Sequence, residues 1–196
     1  MNRAAAAIPV LLVPVLLVPV LLALGSPGLA WAQDRPPVTP TRDVDVTYRA
    51  GQGDRAVEQR SRFRASDQRL RLDLPTPGLY AILDYPAHTL AMVSDPKRAV
   101  LDMPAPAGAM AGVAPAGRFT RRGVDQVAGV PCTEWETQDS SGQPTLACFT
   151  ADGVMLRARR GAQVLVQATR VDYGPQDAAA FTVPPGYAHS SPRTPR

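Results

Sequence analysis

From Asp43 onward, apolar and polar residues alternate along the chain with a period of two. Val44, Val46 and Tyr48 interleave with polar residues in the first such segment. Further segments of alternating or evenly apolar residues follow at 57–65, 70–74, 79–84, 89–93, 99–103, 124–128, 133–139, 144–149, 154–159 and 163–173. A period of two places one face of a strand in the core and the other in water, and short strands separated by turn residues are typical of an antiparallel meander. The pattern predicts a mainly β fold with little helix.

Two stretches depart from this pattern. Residues 104–117 consist almost wholly of Ala, Gly, Pro, Met and Val, which predicts a flexible loop or one short helix that could cover the sheet. Residues 175–180 are compatible with a single helical turn before the last apolar residues of the chain. Neither stretch changes the fold class.

The N-terminus has the three parts of a secretory signal. Arg3 precedes a charge-free apolar run at 4–24, and the small residues Ala30 and Ala32 predict cleavage before Gln33. The alternative is an uncleaved membrane anchor. Three prolines inside the run (Pro9, Pro14 and Pro19) argue against it, because each removes a backbone hydrogen bond that a membrane helix needs.

The remaining chain has the size of one ordinary domain. Residues 1–32 are the predicted signal peptide and residues 33–42 a proline-rich disordered linker. Residues 43–187 form the predicted single β domain, and residues 188–196 a disordered polar tail. No cysteine follows the apolar run directly, so no lipid anchor is expected. The mature protein is therefore predicted to be soluble and either periplasmic or secreted.

The two cysteines flank a cluster of turn residues. Cys132 and Cys148 are equally distant from Ser140, so a hairpin centred there would place them directly opposite one another and within disulfide reach. Metal binding or redox catalysis is the alternative, but the sequence has no Cys-x-x-Cys and no neighbouring histidine. We expect a structural disulfide, which also agrees with export.

The chain has no recognisable catalytic constellation. It lacks the nucleophile elbow, the zinc-protease helix motif and the phosphate loop. His189 falls in the predicted tail and His88 in a predicted hairpin turn, where a solvated polar residue is expected anyway. Glu134 and Glu136 share one strand face, but an exposed strand produces such pairs routinely. We therefore predict a protein that is not an enzyme and has no cofactor or metal.

Five arginines of two adjacent strands form a candidate anion-binding face. They are Arg60, Arg62, Arg64, Arg69 and Arg71. Guanidinium groups suit phosphate or carboxylate ligands, and outside the cytoplasm the anions to expect are lipid headgroups or glycans rather than nucleic acid. Contact with a membrane surface without an anchor would fit. The alternative is a solvated face neutralised across the strands by Asp43, Asp45, Glu58 and Asp73.

The apolar face of the sheet is the second candidate site. Its large members include Tyr48, Phe63, Leu72 and Trp135. Such residues build an ordinary core, but they would line a concave apolar pocket if the sheet curls without closing. We predict an elongated cavity bordered by residues 104–117.

The order of several features resembles an uncharacterised family of exported bacterial proteins with a LolA-like half-barrel fold. These features are the strand–turn–strand run at 79–103, the segment at 123–132, the second cysteine Cys148 and the closing residues 181–187. The resemblance implies an antiparallel meander curled into a half-open barrel, whose concave side shelters an acyl chain or an apolar segment of a partner. The proline-rich stretch after the signal departs from LolA carriers, which have an N-terminal helix there.

Two functions follow as hypotheses. The first is a non-catalytic periplasmic module that binds a lipid-like or apolar ligand. The second is a structural or interaction protein that docks an envelope protein partner through a sheet edge or through the arginine-rich face.

Overall fold

The computed structural model describes residues 35–106, 118–138 and 141–192. The chain divides after Ala32, and all described residues belong to the unit Gln33–Arg196. The predicted signal peptide and most of the 104–117 segment lie outside the described residues. In the described part of the chain, no helix is long and apolar enough to span a bilayer.

The mainly β prediction is confirmed, because strands account for 56% of the structure and helical turns for 5%. The strands are β1 Val44–Ala50, β2 Val57–Arg64, β3 Arg69–Asp73, β4 Leu79–Asp84, β5 Thr89–Ser94, β6 Ala99–Pro104, β7 Thr120–Val127, β8 Val130–Gln138, β9 Pro144–Phe149, β10 Met155–Arg160, β11 Gln163–Tyr173 and β12 Ala188–Ser190. Two short 3-10 turns, Gly53–Arg55 and Ala178–Phe181, complete the regular structure of the described residues.

All strands lie in one open sheet in the order β12-β6-β5-β4-β3-β2-β1-β11-β10-β9-β8-β7. Strands β1 to β6 and β7 to β11 are two meanders, and the pairing of β11 with β1 joins them. Neighbours are antiparallel except β12, which runs parallel to β6. The sheet does not close on itself, consistent with the predicted half-open barrel. Its two edges are β7 and β12.

Tight turns set the register between neighbouring strands. Val127 pairs with Val130, so β7 and β8 are joined by only two residues, Ala128 and Gly129. Both have positive φ, 51° and 77°, as the type I′ turn of a two-residue hairpin requires.

The buried side chains form two clusters. The first surrounds Val44, Val46 and Phe63 and includes both cysteines. The second consists of Tyr80, Ile82, Val93 and Val100, with Val183 and Tyr187 packed against it. The segment after β11 therefore packs against this second cluster, in a position that a helix occupies in other folds.

Both ends of the domain are more ordered than the sequence predicted. Residues 33–42 were expected to be a disordered linker, but Pro36 is buried and the Thr41 N–H donates to the Asp152 carbonyl at 3.0 Å. Arg42 Nε donates to Asp152 Oδ2 at 2.7 Å, and its guanidinium lies 3.6 Å from the centroid of the Tyr173 ring. An apolar sheet face without a helix to cover it favours docking of an adjacent proline-rich segment.

The predicted tail of residues 188–196 begins with a strand. Residues Ala188–Ser190 form β12, and the Ala188 N–H donates to the Arg98 carbonyl at 2.9 Å. His189, expected to be solvated in that tail, has its Nδ1 2.6 Å from Asp102 Oδ2. The pairing depends on β6 presenting an open edge, which the polar composition of the tail does not reveal.

Candidate functional site

The cavity that holds two of the predicted pocket residues lies on the β1–β3 part of the sheet. It has a volume of about 130 Å³. Its lining comprises Val38, Pro40, Val44, Val46, Tyr48, Ser61, Phe63, Leu70, Tyr85, Gly153, Val154 and Met155. Val38 and Pro40 come from the segment before β1. The segment before β1 therefore covers part of the apolar face at this cavity.

Only part of the predicted pocket is brought together. Tyr48 and Phe63 line the cavity, and the Tyr48 hydroxyl donates to the Met155 carbonyl at 2.7 Å. Burial raises the pKa of the Tyr48 phenol well above its ordinary value, and the neighbouring Tyr173 adds to the rise. Leu72 faces Ala81 of β4, and Trp135 is buried on β8 opposite Ala147; neither is among the lining residues.

Several lining residues were missed by the sequence reasoning. Leu70 could have been found, because it is paired with Phe63 across β2 and β3 and shares its face. Tyr85 lies in the turn after β4, and its ring centroid is 6.1 Å from that of Phe63. No local pattern indicates Val38 or Pro40, since their contacts come from the path of the segment before β1.

Aspartates pair with every arginine of the predicted anion-binding face. The pairs are Arg60 with Asp45, Arg62 with Asp73, Arg64 with Asp67, Arg69 with Asp84 and Arg71 with Asp73. Asp45 and Asp73 were among the expected partners, whereas Asp67 and Asp84 were not. Asp43 instead accepts the backbone N–H groups of Ala65 and Gln176 at 2.7 and 2.8 Å. Each of the five guanidiniums thus has a carboxylate partner within the fold, and Asp73 is shared by Arg62 and Arg71.

Arg71 also contacts the segment that follows β11. Its guanidinium lies 3.6 Å from the centroid of the Tyr80 ring and donates to the Ala180 carbonyl at 2.9 Å. Phe181, the next residue, is 2% exposed. These contacts assign Arg71 a structural role.

The disulfide is present, but its predicted register is wrong. Cys132 and Cys148 are bonded, with Cα atoms 5.5 Å apart. Glu134, not Cys132, stands opposite Cys148, and Thr137 stands opposite Thr145. The hairpin is therefore centred on residue 141 rather than on Ser140, and the bond is diagonal. A run of turn residues does not specify which of them occupies the centre.

The two glutamates on β8 are each held in an ion pair. Glu134 Oε1 accepts from Arg157 at 2.8 Å, and Arg122 reaches Glu136 Oε2 at 2.7 Å. Arg157 also pairs with Asp125 of β7, and its hydrogen bond is the main reason that the pKa of Asp125 lies below the ordinary range. Among the described residues, no group of three or more His, Cys, Asp or Glu side chains could hold a metal ion.

The β7 edge of the sheet carries the most exposed large apolar side chain of the described residues. Val124 is 78% exposed, compared with 42% for Val57, the next in rank. Within the described residues, β7 pairs only with β8, so its outer side presents backbone N–H and C=O groups without a strand partner. Arg118 and Arg121 are both exposed at its beginning.

No protein-family model matches the chain, and no curated protein matches it. Several solved structures, in contrast, match the chain. An uncharacterised conserved protein from Thermus thermophilus superposes with a TM-score of 0.57 at 9% identity, over 78% of this chain and 91% of that one.

MucB is a second similar structure. It superposes with a TM-score of 0.52 at 12% identity, over 76% of this chain and 59% of MucB. A structure of the Pseudomonas aeruginosa MucA/MucB complex matches with a TM-score of 0.50 at 13% identity, over 71% and 55%. The chain thus spans about 59% of the length of MucB. At these identities the likeness concerns the fold, and it supports the LolA-like sheet that the resemblance implied.

Proposed function

We propose that this protein is a non-catalytic interaction module outside the cytoplasm that docks a protein partner of the cell envelope through the β7 edge of its sheet. The observation that carries the proposal is the exposed Val124 on a strand whose outer side has no strand partner among the described residues. Unpaired edges are templates for another chain, and soluble proteins usually protect them.

The other candidate surfaces support docking less well. The arginines of the arginine face are paired with aspartates, and the opposite edge is β12, a strand of only three residues. The disulfide is consistent with an oxidising compartment, as is the predicted signal. MucB, which has a similar fold, forms a complex with MucA, so this fold is compatible with a protein partner.

Site-specific photocrosslinking in cells that export the protein tests the proposal. A photoreactive amino acid would replace, one at a time, exposed residues of β7, of the arginine face and of β12. We expect a discrete protein adduct from β7 positions and none from a control position such as Val57. Absence of a protein adduct from every β7 position would contradict the proposal.

An apolar ligand is the second candidate, and the apolar lining around Tyr48 and Phe63 favours it. The cavity of about 130 Å³ is smaller than the roughly 300–1,000 Å³ of ligand pockets, so the segment at 38–40 would have to move. A fluorescent fatty acid titrated into the native protein distinguishes the candidates. Saturable micromolar binding supports the ligand, whereas no binding leaves the interaction module.

A further inference from the structure

The charge along β7 indicates what kind of segment could pair with it. The strand carries two arginines and one aspartate, and Arg122 and Asp125 are already neutralised by Glu136 and Arg157. Arg121 is exposed, and no ion pair involves it among the described residues. The same holds for Arg118, two residues before the strand. The uncompensated charge at this edge is therefore positive.

Many arginines elsewhere in the described residues are paired. The arginines of β2 and β3 are paired, Arg157 and Arg159 share Glu134, and Arg170 pairs with Asp172. Others, such as Arg49 and Arg55, also have no ion pair among the described residues. The β7 edge is distinguished by the combination of such guanidiniums with the exposed Val124 on a strand that lacks an outer partner among the described residues. Complementary charge across an interface steers encounter and selects between partners.

The backbone of β7 limits where another strand can pair. The register with β8 shifts between Arg121 and Gly123, so Arg122 is the extra residue of a bulge. Bulges twist an edge away from an incoming strand, which leaves Gly123 to Val127 as the regular part. Val124 lies within it, and Arg121 flanks it.

We propose that β7 receives an extended, acidic segment of the partner protein as an additional strand, with an apolar residue on Val124 and a carboxylate at Arg121. Backbone hydrogen bonds along Gly123–Val127 would supply affinity, and the side chains would supply selection. The inference rests on the proposed function and names the chemistry of its partner.

A peptide titration of the full mature chain, followed by the backbone amide signals in NMR, tests the inference. The probe is a synthetic octapeptide of alternating valine and glutamate, and its control replaces glutamate by lysine. We expect the acidic peptide to shift amide signals of β7 and β8, and the lysine peptide to bind at least tenfold more weakly. Hydrogen exchange of the free protein should be fast at outward-facing amides of β7.

Two variants with matched controls locate the site. Val124→Lys and Arg121→Glu should each weaken binding of the acidic peptide at least tenfold. Val57→Lys on β2 and Arg170→Glu on β11 make the same changes at other exposed positions and should leave its affinity unchanged. All four variants alter exposed side chains, and an unchanged amide spectrum outside the mutated strand would show that each is folded.

Four outcomes would overturn the inference. These are shifts confined to other strands, equal affinity for both peptides, no binding, and β7 amides already protected in the free protein because another part of the chain covers the edge. The photocrosslinking experiment separates this failure from failure of the proposed function. Protein adducts from β7 positions, together with no preference for the acidic peptide, would remove the acidic strand and leave the proposed function in place.

Discussion

Gly153 and the Thr39 carbonyl are packed so closely that a Cβ built on Gly153 would lie 2.1 Å from the Thr39 oxygen. Gly153 has φ of +93°, in the left-handed region that favours glycine. The contact joins the turn between β9 and β10 to the segment before β1. It is one of the constraints that keep Val38 and Pro40 over the apolar face.

Replacing Gly153 by alanine should loosen this segment. Gly153→Ala and Gly129→Ala both place alanine at a positive φ, but a Cβ on Gly129 meets no atom within 4 Å. Because of this clash, Gly153→Ala should lower the unfolding free energy by about 1–3 kcal/mol more than Gly129→Ala does. Urea unfolding of the two variants measures the difference. Equal losses would show that the segment at 38–40 is not tightly docked.

Removing the disulfide should destabilise the domain without changing its strands. The bond closes a loop with a sequence separation of 16, so Cys132→Ser with Cys148→Ser should lower the unfolding free energy by about 3 kcal/mol. Denaturant unfolding gives the loss, and far-ultraviolet circular dichroism checks the strand content. Two titratable thiols in the native exported protein would contradict the bond.

Asp152 should make stability depend on pH in the acid range. Partial burial raises the pKa of Asp152, but hydrogen bonds from Thr150, Arg42 and Tyr173 outweigh it, and the pKa lies below its ordinary value. A carboxyl with a lowered folded-state pKa stabilises the fold above the unfolded pKa of about 3.9, and this contribution is lost as the pH falls through the folded pKa.

The substitution Asp152→Asn should therefore lower the melting temperature at neutral pH, and the difference from the parent protein should vanish in strong acid. Asp172→Asn, which removes an exposed partner of Arg170, is the control and should change the melting temperature little. Thermal melts between about pH 2 and 7 measure both variants. A pH-independent difference would assign the effect to packing instead of ionisation.

Charge reversal on the arginine face should affect folding rather than binding. Arg62→Glu with Arg64→Glu places carboxylates beside Asp73 and Asp67, so we expect a loss of about 1–3 kcal/mol. The parent protein and the double variant should float equally with anionic vesicles at low salt, because aspartates pair with the arginines of this face. Flotation of the parent that disappears at high salt and that the double variant lacks would restore the anion-binding interpretation.

The strands and the disulfide could be predicted from the sequence because they depend on local patterns. Alternation of Val44, Val46 and Tyr48 with polar residues is visible within seven positions, and the cysteines flank one hairpin. Local patterns do not determine register, however. The hairpin centre lies one residue further along the chain than predicted, so Glu134 rather than Cys132 stands opposite Cys148.

The candidate sites depended on the tertiary structure. Whether the arginines are free is decided by aspartates such as Asp84, on a different strand from Arg69 and 15 residues away. Whether the apolar face is a pocket is decided by Val38 and Pro40, which reach it from outside the sheet. The exposed edge at Val124 exists because β11 returns to pair with β1 and leaves β7 last in the order. Alternation determines that a strand forms, whereas long-range pairing determines which strand is left at the edge.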